Sequence, residues 1–307
     1  MPNFSLGLSA LRSSQYALEV VSNNIANANT EGYHRRSVHL EALPPNQVGR
    51  FRVGNGVGIN HIQRIRNSVT EASLTNVVSD VHHVDQLLEV ERQIEYAFLS
   101  GNTSIGQELD QFFAEMTKLT AAPDEAAQRS AVIESGRRMA GIMRQSSVQL
   151  GELKSAVKFQ IAQEVDALNG KMTLLAELSG EIQSLAAQGY DPNTELDQRD
   201  ALVNEIAEVI GISRNDYFSN ELNLMVGTAS IQQSNTPSEF SIKQEADGEI
   251  SIVLDDSERP INVGSGRLIA LLEVYNSTIP KYEDKLDQLA VEMMRSFDSV
   301  HATGIGT

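Results

Sequence analysis

His82 and His83, with Asp85 two positions on, are the residues of this 307-residue sequence that come nearest to a metal site. Neighbouring residues on a helix point about 100° apart, so the two imidazoles cannot easily share one ion, and no third ligand stands at a usable spacing. They read as a solvated helix face. Gly54, Gly56 and Gly58 resemble half of a dinucleotide loop, but no helix opens after them, so a tight turn is the better reading. No Gly-x-Ser-x-Gly, Walker loop or His-Glu-x-x-His occurs. The acid pairs Asp255-Asp256 and Asp197/Asp200 read as turn and cap residues, and His34, His39 and His61 as surface groups. The sequence thus offers no catalytic residue, no cofactor site and no metal ligand set. No cysteine occurs, which excludes a disulfide framework and a thiolate metal site.

The arginines are the other residues able to do chemistry. Residues 1–66 hold seven arginines, no lysine and three acids (Glu19, Glu31, Glu41), a local charge of +4 in a chain of net charge −17. The remainder therefore carries −21. Such an acidic chain repels nucleic acid and anionic membrane, and few aromatics interleave with Arg35, Arg36, Arg50, Arg52, Arg64 and Arg66. Pairing with acidic neighbours is the expected use. Arg50, Arg52, Arg64 and Arg66 are the candidates for contacts between subunits. No run of about 18 apolar residues exists to span a membrane. The start, Met-Pro-Asn-Phe-Ser-Leu-Gly-Leu, lacks the basic and apolar regions of a Sec signal.

The elements that must carry these residues are mostly helical. Residues 4–28 read as an amphipathic helix with a narrow apolar face of Phe4, Leu8, Leu11, Leu18, Val21 and Ile25. Asn23, Asn24, Asn27 and Asn29 compete for backbone hydrogen bonds and mark its end. Residues 33–66, broken by Pro44-Pro45 and several glycines, read as an extended or hairpin segment. From Ser68 the helical period returns, with Val69, Leu74, Val77, Val81, Val84, Leu88, Val90 or Glu91, and Ile94 at mostly three-to-four spacing. A capping box of Ser104 and Gln107 opens the next helix. A long helix then runs toward Gly189. Its second half places Leu150, Leu153, Val157, Ile161, Val165, Leu168, Met172, Leu175, Leu178, Ile182 and Leu185 at a mean spacing of about 3.5, the heptad value. This seam needs a long partner, for which residues 68–100 are the expected choice. Glu195–Ile210 forms a short helix. Residues 212–263 turn to strands around an Asp247-Gly248 hairpin. Helix returns from Arg267, interrupted near Pro280.

The fold class read from this is mainly α with a small β insertion: a long antiparallel helical bundle or coiled coil plus a small strand-rich subdomain. The expected divisions are 1–33 for the first helix and motif, 34–67 for the hairpin, 68–211 for the bundle, 212–264 for the β subdomain and 265–307 for the returning helix.

Residues 22–33, Ser-Asn-Asn-Ile-Ala-Asn-Ala-Asn-Thr-Glu-Gly-Tyr, closely resemble the N-terminal signature of the flagellar rod, hook and hook-associated family. Within it, Asn23, Asn24, Ile25, Ala26, Asn27, Asn29, Thr30, Gly32 and Tyr33 carry the motif. Leu196-Asp197-Gln198-Arg199-Asp200-Ala201-Leu202 is similar to a stretch of the hook-associated members, as are Leu109–Phe113, Pro123–Arg129, Gly266–Glu273, Leu286–Ala290 and His301–Gly304. The resemblance implies a structural subunit of the hook–filament junction, needed for flagellum assembly and exported by a type III route to the cell exterior. Its implied partners are identical subunits in a ring, the hook protein, hook-associated protein 3 and an export chaperone. Family members usually close with a second terminal helix that pairs with the first. None follows here before Thr307, so the outer domain, the closing helix and the chaperone site are expected in a missing distal half. Another axial subunit (hook, rod, hook-associated protein 3 or flagellin-like), or a ligand-binding or enzymatic unit in 212–263, is the alternative.

Overall fold

A computed structural model describes residues 2–100, 103–214, 222–233, 235–255 and 260–303. The chain is mainly helical with small antiparallel sheets. In order come α1 (Pro2–Ala26), β1 (Arg36–Ala42), β2 (Asn46–Val48), β3 (Phe51–Val53), β4 (Val57–Arg64), α2 (Ser68–Ala97), β5 (Leu99–Ser100), β6 (Thr103–Ser104), α3 (Ile105–Ala121), α4 (Ala126–Ala187) and α5 (Asn193–Val209). The strands β7 (Ser213–Arg214), β8 (Asn223–Val226), β9 (Ala229–Gln233), β10 (Thr236–Pro237), β11 (Phe240–Gln244) and β12 (Ile250–Leu254) precede α6 (Arg267–Glu273) and α7 (Ile279–Thr303).

Two compact units form. The first gathers Met1–Ser79, Leu168–Glu239 and Ile261–Val263. In it β1 pairs antiparallel with β4, from Arg36 opposite Arg64 to Ala42 opposite Val57. α1 lies along this pair. Its inward side is small and polar: Ser13 is buried and its hydroxyl donates to the Val57 carbonyl at 3.4 Å. Gly56 is left-handed (φ +100°), and a Cβ there would sit 2.2 Å from Ser9 Oγ. Glycine is therefore required both by the backbone angle and by the close approach to α1. The apolar core of this unit is built by Leu168, Met172, Leu175 and Ile182 of α4, Val203 and Ile206 of α5, and Leu224 and Ile231 of the β10-β9-β8-β7 sheet.

The second unit comprises Asp80–Ala167, Phe240–Pro260 and Gly264–Thr307. Its core holds Val90 and Ile94 of α2, Leu150, Val157, Ile161 and Val165 of α4, Phe240 and Ile252 of the β11–β12 hairpin, and Leu268 and Leu271 of α6. α3 opens with the full capping box: Ser104 Oγ accepts from the Gln107 amide, and Gln107 reaches back to the Ser104 amide. Between α6 and α7 a π-turn spans Val274–Thr278. Pro280 explains it, because proline offers no amide to the carbonyl one turn back, and the wider turn absorbs the break. The turn carries Asn276, whose amide bonds both the N–H and the carbonyl of Ile250 (2.9 and 2.8 Å).

The α4 seam matches the heptad reading. Leu150, Ile161, Leu168 and Leu175 have no exposed surface, while Leu153, Leu178 and Leu185 are half-buried. The α2 reading needs correction. Val69, Leu74, Val77, Val81, Val84 and Leu88 are all exposed. The covered side of α2 carries Thr75 and Ser79, which the spacing does not single out, together with Val90 and Ile94, which it does. Thr75 can go inward because its hydroxyl is satisfied by the Glu71 carbonyl and by Asn204 Oδ1.

Candidate functional site

The asparagine-rich motif ends α1 through side chains. Asn27 Nδ2 donates to the Asn23 carbonyl at 3.0 Å, and Thr30 Oγ1 donates to Asn27 Oδ1 at 3.2 Å. Asn24 acts as a strand edge: its Oδ1 accepts from the Arg36 amide and its Nδ2 donates to the Arg36 carbonyl, both at 2.9 Å. The last turn of α1 is thereby fixed to the first residue of β1. Tyr33 Oη lies 3.0 and 2.9 Å from Asn23 Oδ1 and Asn24 Oδ1, and the Arg36 guanidinium covers its ring at 5.2 Å. Gly32 takes φ +76°, and a Cβ there would meet only Ala201 Cβ at 3.8 Å. Its requirement is thus the backbone angle rather than space. Asn29 and Ala26 are exposed, as is Ile25.

Directly behind this motif lies a charged cluster. Asp197 and Asp200 are three residues apart on α5, so they share one helix face. Arg64 Nη1 donates to both, at 2.8 and 2.9 Å. Arg36 Nη2 reaches Asp197 Oδ2 at 3.3 Å and Thr194 Oγ1 at 3.1 Å. His34 Nδ1 is 2.9 Å from Asp197 Oδ1, and its Nε2 is 3.2 Å from Glu71 Oε1 at the start of α2. Arg66 pairs with the other oxygen of Glu71 at 3.1 Å. Arg214 on β7 donates to Asp200 Oδ1 at 2.6 Å, and Arg199 lies 3.6 Å from the same oxygen. Arg64, Asp197, Arg199, Asp200 and Arg214 are buried.

The β1–β4 register makes this cluster necessary. It sets Arg36 directly opposite Arg64. Two like charges across a strand pair repel. Asp197 lies between them and bonds both, so α5 completes the hairpin electrically. Two hydrogen bonds add geometry: Asp191 accepts from the Ile62 amide at 2.7 Å, and Asn193 donates to the Ile62 carbonyl at 2.7 Å.

The hydrogen bonds of His34 to Asp197 and to Glu71 raise its pKa to about 9, so the ring is a cation at neutral pH. Burial would raise Asp197, but the bonds from His34 and Arg64 outweigh it and hold the carboxyl below its ordinary value. Burial likewise opposes ionisation of Asp200, and the charges of Arg214, Arg64 and Arg199 overcome it.

Several expectations change here. Arg64, read as a contact to a neighbouring subunit, is buried and bound to Asp197 and Asp200 of its own chain, because the opposed arginines demand a counter-charge at that register. Arg66 is likewise paired within the chain. Arg50 and Arg52, on the β2–β3 hairpin, are exposed. His34 is not a surface group but a bridge between α5 and α2. Asp197 and Asp200, read as turn and cap residues, are the centre of the cluster. The one sequence signal for them was the i, i+3 acid spacing on a helix facing a basic segment. On the apolar face of α1, Phe4, Leu8, Leu11, Leu18, Val21 and Ile25 are exposed, Phe4 by 76% and Ile25 by 71%.

Among the described residues no group of three or more potential ligands is placed to hold a metal ion. His83 instead faces the Gly266 carbonyl at 3.3 Å and Glu273 at 3.6 Å. His39 and His61 stack across β1 and β4 at 4.5 Å. Gly54, Gly56 and Gly58 lead from β3 into β4 and open no helix. Among the described residues no helix is long and apolar enough to cross a membrane.

An exposed apolar helix, tied by its asparagine end to a charged cluster, is an arrangement that suits a structural building block. Comparison with known proteins agrees with that class. Residues 5–34 match the family model of the flagella basal body rod protein. Residues 92–307 match the model of the flagellar hook-associated protein FlgK helical domain, and the chain belongs to that family of structural flagellar proteins. Flagellar hook-associated protein 1 of Escherichia coli K12 is 24% identical over 310 residues, and that of Salmonella typhimurium LT2 26% over 314. Each alignment covers 97% of this chain, which spans about 56% of the length of either relative. Hook-associated protein 1 of Bacillus subtilis is 25% identical across 96% of this chain and 66% of its own. The solved flagellar hook junction protein FlgK from Burkholderia pseudomallei shares the fold, with a TM-score of 0.54 at 18% identity over 67% of this chain and 38% of that one.

Proposed function

We propose that this chain is a structural subunit of the hook–filament junction, a part of the flagellum outside the cell, exported without a Sec signal. Copies form a ring that joins the hook protein on one side and hook-associated protein 3 on the other. An export chaperone would act on the length that the relatives have beyond this chain. The subunit carries out no reaction. Its work is to present α1 at a fixed angle.

The observation that carries this reading is the division of labour on α1. Its small polar side is fastened to the β1–β4 pair, which leaves the Phe4, Leu11, Leu18, Val21 and Ile25 face outward. A 25-residue helix cannot keep such a face in water without consequence for association. The test is complementation of a strain that lacks its own hook-associated protein 1 with the full-length protein carrying Leu18→Asp and Ile25→Asp. Filaments are expected to be lost while the melting curve of the purified protein is unchanged. Normal filaments and swimming would overturn the reading.

A further inference from the structure

The β2–β3 hairpin is the most exposed basic feature of the described chain. Phe51 stands 73% exposed and Val53 44%. Strand pairing sets Asn46 opposite Val53 and Gln47 opposite Arg52. Phe51 and Val53 therefore share one face of the ribbon, with Arg52 on the other and Arg50 at the turn. Among the described residues neither arginine is ion-paired, unlike Arg36, Arg64 and Arg66. Nothing in the hairpin's own packing needs an exposed phenylalanine flanked by two cations.

A groove of complementary character lies in the second unit, where α2 ends and α3 begins. It has a volume of about 520 Å³ and an apolar floor of Leu88, Phe98, Leu99, Ile105 and Tyr282. Phe98 and Tyr282 meet at 5.7 Å with their planes tilted by 52°, which leaves aromatic surface for a third ring. Glu91 and Glu95 form its rim, both exposed and, among the described residues, without an ion-pair partner. Arg92 is the single cation of the rim, so the mouth is net acidic. Glu91 and Glu95 are one helical turn apart, about 6 Å.

We propose that the Arg50-Phe51 tip of this hairpin in one copy docks into this groove of a second copy, with Phe51 and Val53 against the aromatic floor and Arg50, at the turn, over Glu91 and Glu95. This deepens the junction reading and rests on the chain's assembling with copies of itself. The match of opposite charges is what selects a second copy: in a chain of net charge −17, a local basic patch meeting a local acidic one offsets the general repulsion between copies. The contact joins different surfaces, so it propagates around a ring and does not close as a two-fold dimer.

The chain has no cysteine, so introduced thiols report the contact without background. Purified Asn46→Cys and Gly106→Cys proteins, which keep Phe51 and the aromatic floor, are mixed and oxidised, with Val148→Cys, also exposed, replacing Gly106→Cys in the control. The mixed disulfide is expected to form roughly fivefold faster than in the control, the effect of one exposed ion pair. Adding Arg50→Glu to the first protein should remove the advantage, and Glu95→Arg in the second should restore it. Equal rates with the control, or no rescue by the charge swap, would overturn the docking. So would Phe51-dependent binding to anionic phosphatidylglycerol vesicles with no cross-link between copies. Filament complementation by the unsubstituted protein is scored separately: if filaments form but the cross-link does not exceed the control, the docking fails and the junction reading stands.

Discussion

The seam of α4 and the outer face of α1 carry apolar residues at similar spacing and meet opposite fates. On α4, Leu150, Ile161, Leu168 and Leu175 lose all contact with solvent. On α1, Leu11, Leu18 and Val21 keep 59%, 66% and 51% of theirs. The helices differ in what lies beside them. Two compact units each draw part of their core from α4. Among the described residues α1 lies along the β1–β4 pair, and it bonds that pair through Ser9, Ser13 and Asn24. A heptad-like stripe therefore says that a helix has a face to cover, and it is silent on whether the covering comes from within the chain. α2 teaches the same lesson, since Leu74, Val77, Val81, Val84 and Leu88 repeat at three and four residues and all remain exposed.

The largest effect is expected where charge, not apolar packing, holds the β1–β4 pair to α5. Asp200→Ala strips a buried carboxylate from Arg64 and Arg214. Removing one partner of a buried pair costs about 3–5 kcal/mol. Chemical denaturation followed in the first unit measures it, and an unchanged midpoint would mean that the cluster opens to water. Ile161→Ala, in the middle of the buried seam, should cost roughly 2–5 kcal/mol. A negligible loss there would erase the distinction between the two helices.

Gly32→Val comes next. The sequence places this glycine outside any core, at a backbone angle that a side chain would oppose, with the melting transition nearly intact. The φ of +76° is such an angle and adds a stability cost to that expectation. A side chain in that conformation costs about 1–2 kcal/mol, so a modest drop in stability should accompany a loss of filament assembly. Unaltered stability together with normal swimming would reduce residues 28–33 to a tolerant linker.

The pH dependence is smaller and has a definite sign. His34 rises from 6.5 to about 9 on folding, so its contribution is complete below pH 6.5 and disappears as the pH climbs through about 9. Asp197 and Asp200 are held below 3.8, so theirs is present above that value and is lost as the pH falls through their lowered folded values. Stability should fall on both flanks. In His34→Gln the alkaline decline should flatten while the acid one persists, and an identical alkaline limb would show that His34 is not its source. The smallest effect belongs to Leu18→Ala, which should shift stability by no more than about 0.5 kcal/mol. A large loss would mean that the outer face of α1 is covered within the chain.

Local chemistry made the elements legible. The Ser104/Gln107 capping box, the Asp247-Gly248 turn and the α4 heptads act over a few residues, and each appears in the structure where the sequence puts it. The asparagine run was legible as a helix end for the same reason. The candidate site was legible only in half. Its asparagines and Gly32 lie within one short stretch, whereas the cluster behind them joins His34, Arg64 and Asp200, which are separated by up to 166 residues.

The sequence by itself determined the helical class, the helix ends, the acidic body with a basic start, and the family resemblance. These follow from periodicity, capping and composition, which depend on neighbours in the chain. Only the tertiary structure decided that α1 turns serines inward, that α2 leaves Val69, Val77, Val81 and Val84 outside, and that Arg36 and Arg64 face each other across β1 and β4. The last of these made Asp197 and Asp200 structural centres. Burial and ion pairing depend on which distant segment arrives alongside, and residue spacing within one segment carries no record of that.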